Sequence, residues 1–397
     1  MQRLGFYDLE TITKCLEHDR IWIHAVSVGE MFIAIRLAKE LKRQAPQTEF
    51  IFTTTTSTGY AIAGKQINPN DVLCYFPVDF PPVISRVFNL FNPQAVVLME
   101  SEIWPNLIRT ASNRNIPVIL ANGRISEKSF RGYMKLRPLV SRALDLIDLL
   151  MVQCNADAER LKQLGAKPDR VRVLGSAKYD DALPLLKEAR SPEPNLDQCG
   201  MNNSNPIIVA GSTWAGEEEA MLNLFVKAQQ TMPDISLILA PRHAERAGEV
   251  IKILEQSNIP FVRRSEITDK NTGTNAKILL LDSTGELKNF YSIATVIFVG
   301  KSLTHKGGQN IIEAGIFGKP VVVGPHMANF KPVMDDFLAA NAIFQINNIE
   351  ELEETIIELL KDSTKREEYG KRAQDLIKAK SGVASVSAQE IRKLLFI

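Results

Sequence analysis

Short, almost unbroken apolar runs recur along the chain. Each ends in a glycine or small polar residue and gives way to a helix-like spacing of apolar positions. Ile21 to Val28 (IWIHAVSV) predicts a central strand running into a loop, and Gly29–Glu30 opens the helix FIAIRLAKELKRQ. EFIFTTTT predicts the next strand, with Ser57–Thr58–Gly59 starting another helix. Ala95 to Glu100 (AVVLME), Pro117 to Asn122 (PVILAN), LLMVQC and VRVLGS continue the series. Such runs alternating with helices predict a parallel sheet covered on both faces. Between Pro184 and Pro206 the pattern lapses into polar, turn-forming sequence, which predicts a linker over residues 186–205 after a first domain of residues 1–185. IIVAGST then restarts the alternation, followed by ISLILAPRH, KILLLD, TVIFVG and PVVVGP. A second α/β domain is expected over residues 206–362, with a helical segment over 363–397.

At 397 residues the chain exceeds what one core ordinarily serves, in keeping with two domains. A net charge of +1 excludes bulk attraction to nucleic acid, though a local basic patch leaves membrane contact open. Cys15, Cys74, Cys154 and Cys199 are far apart, form no metal-ligand or redox pair, and read as reduced, cytosolic thiols. No window is long and apolar enough to span a bilayer or act as a signal peptide, so any membrane contact is expected from one side.

Ligands of parallel α/β sheets gather beyond the carboxyl ends of strands. His24, Ser27, Glu30, Thr54 to Thr56, Glu100, Glu102, Asn122, Arg124 and Lys178 all fall at or just past such ends. Glu30, at a glycine-marked turn, suits either a base that accepts a proton from an attacking hydroxyl or an acidic cap of the following helix. Glu100 and Glu102 flank Ser101 ahead of Pro105, which suits a first helical turn; one carboxylate is then a cap and the other faces the ligand. His24 reads as a satisfied strand-end histidine or as a polar contact near Glu30. Ser126 to Pro138 mixes Lys128, Arg131, Lys135 and Arg137 with Phe130, Tyr133 and Met134. It reads as a basic-aromatic surface for an anionic headgroup or as a solvated amphipathic helix.

In the second half, TVIFVGKSLTHKGGQNIIE carries the densest signal. A buried strand delivers Gly307–Gly308 to a helix expected to begin at Gln309–Asn310, with Glu313 in its first turn. Free N–H groups there would hold an anion, and Glu313 would take a ribose. Arg242, at another strand end, suits a phosphate or a surface ion pair, and His243 orients it or meets the base. His305 and His326 sit in loops without a zinc pattern. The glycine spacing of a Walker A loop and the dinucleotide fingerprint are both missing, which removes kinase, GTPase and dehydrogenase readings. A sugar-nucleotide site on the second domain points to a glycosyltransferase.

Five segments taken together resemble one family: IWIHAVSVGE (21–30), ESEIWPN (100–106), ANGRISEKSFRGY (121–133), PRH (241–243) and FVGKSL…KGGQNIIEAG (298–315). They are similar, over nearly the whole chain, to the 3-deoxy-D-manno-octulosonic acid (Kdo) transferases of Gram-negative lipopolysaccharide synthesis. The resemblance implies the GT-B architecture, two Rossmann-like domains facing each other across a cleft, with the C-terminal segment returning to the first. It implies transfer of one or more Kdo residues from CMP-Kdo to a lipid A precursor (lipid IVA), with inversion and with no metal or other cofactor in the transfer step. By that likeness Glu30 is the catalytic base, and Glu100, Glu102, Arg124 and Lys178 lie near the acceptor and transferred sugar. Ser212, Thr213, Arg242, His243, Gly300, Lys301, Ser302, Gly308, Asn310 and Glu313 bind CMP, with Glu313 on the ribose. The implied partners are CMP-Kdo, the lipid A precursor and an anionic membrane surface, with no nucleic acid. The implied location is the cytoplasmic face of the inner membrane, peripheral in this form, because the family's usual N-terminal anchor lies upstream of the region that opens this chain.

The chain departs from the family pattern at Trp214, where histidine is frequent, at Lys301, where glycine is usual, and at Gln309, where histidine is usual. Gly175–Ser176–Ala177–Lys178 also differs from the familiar Gly-Asn-X-Lys. Two other classes share the broad pattern: a UDP-sugar transferase or epimerase of the same architecture, and a membrane-associated scaffold without turnover.

Overall fold

The structure is a computed structural model that describes residues 1–189, 196, 201–202, 204–267 and 276–397. It comprises two compact units, Met1–Asp180 with Gly382–Ile397, and Asp181–Ser381. Most of the linker expected at 186–205 lies outside the described residues, as does Cys199; the described part begins in helix Ala182–Glu188. Cys15, Cys74 and Cys154 carry free thiols.

In the first unit seven parallel strands form one sheet: β1 (Arg20–His24), β2 (Glu49–Thr54), β3 (Val72–Tyr75), β4 (Ala95–Met99), β5 (Val118–Gly123), β6 (Leu149–Val152) and β7 (Val171–Val173). Their order is β3-β2-β1-β4-β5-β6-β7. Central strands buried along their whole length explain the unbroken apolar runs, since helices cover both faces. Alternation survives underneath. Trp22, Val96, Leu98 and Leu120 enter the core on one face, while Ile21, Ile23, Val97 and Ile119 enter the core on the other. The last helix, Val383–Leu395, packs on helix Val28–Gln44 of this unit. It begins at Gly382, which has no side chain to cap it. Asp180 supplies the cap instead, accepting from Val383 N–H at 3.1 Å and Ala384 N–H at 2.6 Å.

The second unit repeats the plan with β8 (Ile207–Thr213), β9 (Ser236–Pro241), β10 (Phe261–Arg263), β11 (Ile278–Leu280), β12 (Val296–Val299), β13 (Val321–Val323) and β14 (Phe344–Gln345). The order is β10-β11-β9-β8-β12-β13-β14. Helix Ser363–Lys380 belongs to this unit and packs on helices Ile312–Gly315 and Ile349–Lys361, so that only the last residues from Gly382 join the first unit.

Strand order reverses once in each sheet. β1 lies between β2 and β4, and β8 between β9 and β12. At such a reversal successive connections leave toward opposite faces, and a crevice opens beyond the carboxyl ends. Bulges mark both sheets nearby: the register shifts between Leu120 and Gly123 against β6, and between Gly211 and Thr213 against β9. Asn122 and Ser212, the residues inside these shifts, are left-handed, with φ of 53° and 56°. Bulges of this kind re-aim side chains at strand ends.

Candidate active site

Glu30 follows β1 and Glu100 follows β4, so the reversal in the first sheet brings them together. Helix Val28–Gln44 starts with Ser27 as its cap, whose hydroxyl accepts the Glu30 N–H at 3.2 Å. Glu30 Oε2 in turn accepts the Val26 N–H at 2.8 Å. Both readings of Glu30 therefore coexist. One oxygen anchors the helix entry, and the other has no hydrogen-bond donor among the described residues.

Around Glu30 the structure gathers Glu100, Glu102, Arg124 and Lys178. Burial, then repulsion from Glu30, pushes the Glu100 carboxyl above the ordinary range, while Lys178 and Arg124 pull it back. Glu102 is pushed up to about 7, first by burial and then by Glu30; the nearby Trp104 indole, which makes no well-formed hydrogen bond, opposes this in part, and Glu100 adds to the rise. Burial lowers the Lys178 pKa, and Glu100 offsets part of that. The geometry is that of a mixed-charge cluster with carboxylates in excess. Such an arrangement keeps one carboxyl protonated near neutrality while another is ionised. Glu100 itself is left-handed, at φ 54°, an uncommon conformation for a residue with a Cβ.

The raised Glu102 pKa makes a stability prediction. The native state holds this proton more tightly than the unfolded chain does. Its contribution is therefore complete below the ordinary value of 4.5 and is lost as the pH climbs through about 7. In melting curves from pH 5 to pH 8, Glu102→Gln should gain on the wild type by about 1 kcal/mol, allowing for screening at the exposed edge of the group. Parallel pH profiles would refute the shift.

His24 resolves toward a structural role. Its Nδ1 lies 3.1 Å from both the carbonyl and the hydroxyl oxygen of Thr53, and its ring stacks on Phe76 with centroids 3.7 Å apart. Burial lowers its pKa to about 3, against the Thr53 hydrogen bond, so it stays neutral. Asn122, which the sequence placed only at a strand end, positions the Lys178 loop: its Oδ1 accepts the Ala177 N–H at 3.0 Å.

In the second unit a cavity of about 300 Å³ opens beyond the strand ends and brings Ser212, Arg242 and Glu313 together. Ser283, Thr284 and Gly285, from the loop after β11, complete its polar wall. That loop was missed, and its signal is the turn sequence Asp282–Ser283–Thr284–Gly285 directly after an apolar run. Lys288 also lines the cavity but is paired with Glu188 at 2.8 Å. Glu313 retains solvent access, yet protein crowds its carboxyl; that burial raises its pKa, Asn310 opposes, Asp181 adds to the rise, and Arg242 and Lys288 lower it. Asn310 Nδ2 donates to Glu313 at 2.9 Å. His243 is exposed and meets the edge of Trp214 with centroids 5.8 Å apart.

Three expectations for this unit are corrected. The helix after the glycine pair is short, Ile312–Gly315, because Gly307 and Gly308 are left-handed (φ 124° and 76°) and the Asn310 side chain takes the Ile312 N–H. Two N–H groups of that stretch are not free: Gly307 donates to His326 O at 3.1 Å and Gly308 to Lys301 O at 2.8 Å. The loop after β12 is committed as well. Glu217, fully buried, accepts from Trp214 N and Lys301 N through Oε2 and from Ser302 N and Leu303 N through Oε1, at 2.8–3.0 Å. A protein carboxylate thus takes the backbone donors of Lys301 and Ser302, two residues that the family resemblance assigned to CMP. Gly300 is needed beside it, since a Cβ there would lie 2.6 Å from Glu217 Oε2.

Thr213 and Ser302 are structural too. The Thr213 hydroxyl donates to Glu218 at 2.9 Å; Ser302 Oγ donates to Val299 O at 2.6 Å and accepts the Gly324 N–H at 2.9 Å. The run Glu217–Glu218–Glu219 has the pattern of ordinary acidic residues at a helix start, and nothing in the sequence marks two of them as buried.

Helix Glu127–Lys135 also differs from the basic-aromatic reading. Phe130 and Tyr133 turn inward against the core, while Met134, Leu136 and Leu139 are exposed beside Lys128, Arg131, Lys135 and Arg137. Among the described residues, no group of three or more His, Cys, Asp or Glu side chains is arranged to hold a metal ion, and no helix is long and apolar enough to cross a membrane.

A family model described as 3-deoxy-D-manno-octulosonic-acid transferase (kdotransferase) matches residues 1–181, and one described as glycosyl transferases group 1 matches residues 260–376. The 3-deoxy-D-manno-octulosonic acid transferase of Haemophilus influenzae is 32% identical over 384 residues, which span 96% of this chain and 88% of that protein. The Bordetella pertussis enzyme of the same name is 32% identical over 371 residues, 91% of this chain and 84% of that protein. A solved glycosyltransferase from Rickettsia africae shares the fold, with a TM-score of 0.62 at 14% identity over 96% of this chain and 99% of that one. Two parallel Rossmann-like sheets, read with these matches, define a nucleotide-sugar-dependent glycosyltransferase of the GT-B class. Within that class the chain belongs to the 3-deoxy-D-manno-octulosonic-acid transferase family.

Proposed function

We propose that this protein transfers Kdo from CMP-Kdo to a lipid A precursor, lipid IVA, with inversion and in one or more additions. The observation that carries the mechanism is Glu30, held by one oxygen and open at the other within a charged cluster at the first sheet's reversal. The open oxygen takes the proton of the acceptor hydroxyl. The hydroxyl oxygen then bonds to the anomeric carbon of Kdo as the bond from that carbon to the CMP phosphate breaks, and CMP leaves with the electron pair. Lys178 and Arg124 offset the carboxylates around the acceptor and transferred sugar. On the donor side the cavity of Ser212, Arg242 and Glu313 takes the nucleotide, with Glu313 on the ribose. No residue is assigned to a metal or cofactor.

The exposed Lys128, Arg131, Lys135 and Arg137 beside Met134, Leu136 and Leu139 fit a peripheral placement on an anionic membrane surface, which we assign to the cytoplasmic face of the inner membrane. The donor reading is tested by calorimetric titration of nucleotides. CMP should bind more tightly than UMP, and Arg242→Ala should weaken CMP by about tenfold, as expected for loss of one charge-assisted contact. Tighter binding of UMP would favour a UDP-sugar enzyme of the same architecture instead.

A further inference from the structure

Lys301 follows β12 with a left-handed backbone, φ 55°, a conformation that costs a lysine but not a glycine. A side chain retained in such a place needs a use, and the surroundings supply one. The Lys301 ammonium sits 4.7 Å from the centre of the Trp214 ring. Trp214 is itself flanked by Arg246, 5.9 Å from its centre, and His305, 5.1 Å between centroids. Arg246 is spent on Glu218, at 2.7 Å. Lys301, in contrast, has no carboxylate within ion-pair distance among the described residues. The backbones of the two residues are tied through the same oxygen, Glu217 Oε2, which accepts the Trp214 N–H at 2.9 Å and the Lys301 N–H at 2.8 Å. Trp214 also follows directly on Thr213, the last residue of β8, and β8 pairs with β12 at the sheet reversal. An ammonium over an aromatic face is held in direction while it keeps its charge for a ligand.

We infer that Lys301 binds the phosphate of the nucleotide donor through its side chain, and that Trp214 is the positioning residue that aims it. The inference rests on the CMP reading above and adds to it a cation from the loop whose backbone donors Glu217 takes. Ser212, which lines the nucleotide cavity, lies in β8 beside β12. Lys301 does not line that cavity itself, and the inference requires a nucleoside seated there to carry its 5′-phosphate toward the loop after β12. An ammonium suits that position because it meets a phosphate as a mobile point charge.

The test is calorimetric titration of the full chain with CMP and with cytidine, which lacks the phosphate. Lys301→Met keeps the backbone strain and removes the charge; it should weaken CMP by about 5–20-fold and leave cytidine unchanged, as loss of a charge-assisted contact requires. Trp214→Leu should weaken CMP by about threefold, with recovery in Trp214→Phe, which restores an aromatic face. Lys301→Gly should bind CMP as poorly as Lys301→Met yet melt about 2–4 °C higher, because only the methionine variant keeps a strained backbone. Unchanged CMP affinity in Lys301→Met overturns the inference. So does an equal loss of CMP and cytidine, which would mark a collapsed loop. A wild type that prefers UMP refutes the CMP reading alone, and the Lys301 comparison is then made with UMP and uridine. A wild type that binds no nucleotide overturns both.

Discussion

A Glu30→Gln protein should keep its fold and its affinity for CMP while its transfer rate falls by about 10²–10⁴-fold, the usual range for loss of a positioned general base. Glutamine preserves an oxygen to accept the Val26 N–H, so the helix entry survives and only the proton acceptor is lost. Glu30→Ala removes both and should cost about 1 kcal/mol in stability as well. Single-turnover transfer from freshly made CMP-Kdo to a tetraacylated lipid A precursor, followed by mass, measures the rate and counts the additions. A glutamine variant that transfers at the wild-type rate would leave Glu30 as a cap and nothing more. Loss of CMP binding in that variant would instead indicate a disturbed fold.

The second large effect is expected at Glu217, which takes no part in the proposed transfer step. Its buried carboxylate accepts four backbone N–H groups from two loops, after β8 and after β12. Bonds to a charged acceptor are individually strong, and donors left without one in a buried place retain their full desolvation cost. Glu217→Gln turns an NH₂ group toward two of those N–H groups. The second unit should lose about 3–5 kcal/mol of stability, as when one member of a buried charged network is removed. Scanning calorimetry should show the transition of the second unit falling while that of the first unit stays in place. CMP affinity should fall with it, since the same carboxylate orients Trp214 and Lys301. A variant that melts and binds CMP like the wild type would mean that the loops hold their shape without the staple.

Much of this was legible in the residues. Strands buried on both faces announce themselves as unbroken apolar runs, so all the central strands and their carboxyl ends could be marked from composition alone. Glu30, Glu100, Arg124, Lys178 and Arg242 stood out because each lies at or beyond such an end, Glu313 because it falls in the first turn after the glycine pair, and Ser212 through the family resemblance; the structure groups them as one cluster in the first unit and one cavity in the second. The glycine-rich stretch has a second meaning that its residues alone do not reveal. Glycines that deliver a loop to an anion and glycines that make room for packed side chains have the same sequence signature. Gly308 is required because a Cβ would collide with Met327, and Gly300 because one would collide with Glu217. Glu217 itself was hidden by its neighbours, since three acids at a helix start ordinarily face solvent.

Local pattern therefore determined the α/β class, the alternation of two units and the roster of strand-end residues, because each depends only on periodicities within a few residues of the chain. It could not determine which ends are neighbours. That Glu30 meets Glu100 follows from β4 pairing with β1 rather than with β3, and that Trp214 meets Lys301 follows from β12 pairing with β8. Nor could it determine which polar groups remain for a ligand. Every backbone N–H is a donor in the sequence, and only the folded chain decides whether its acceptor is a substrate or, as at Lys301 and Ser302, a carboxylate from eighty-odd residues away.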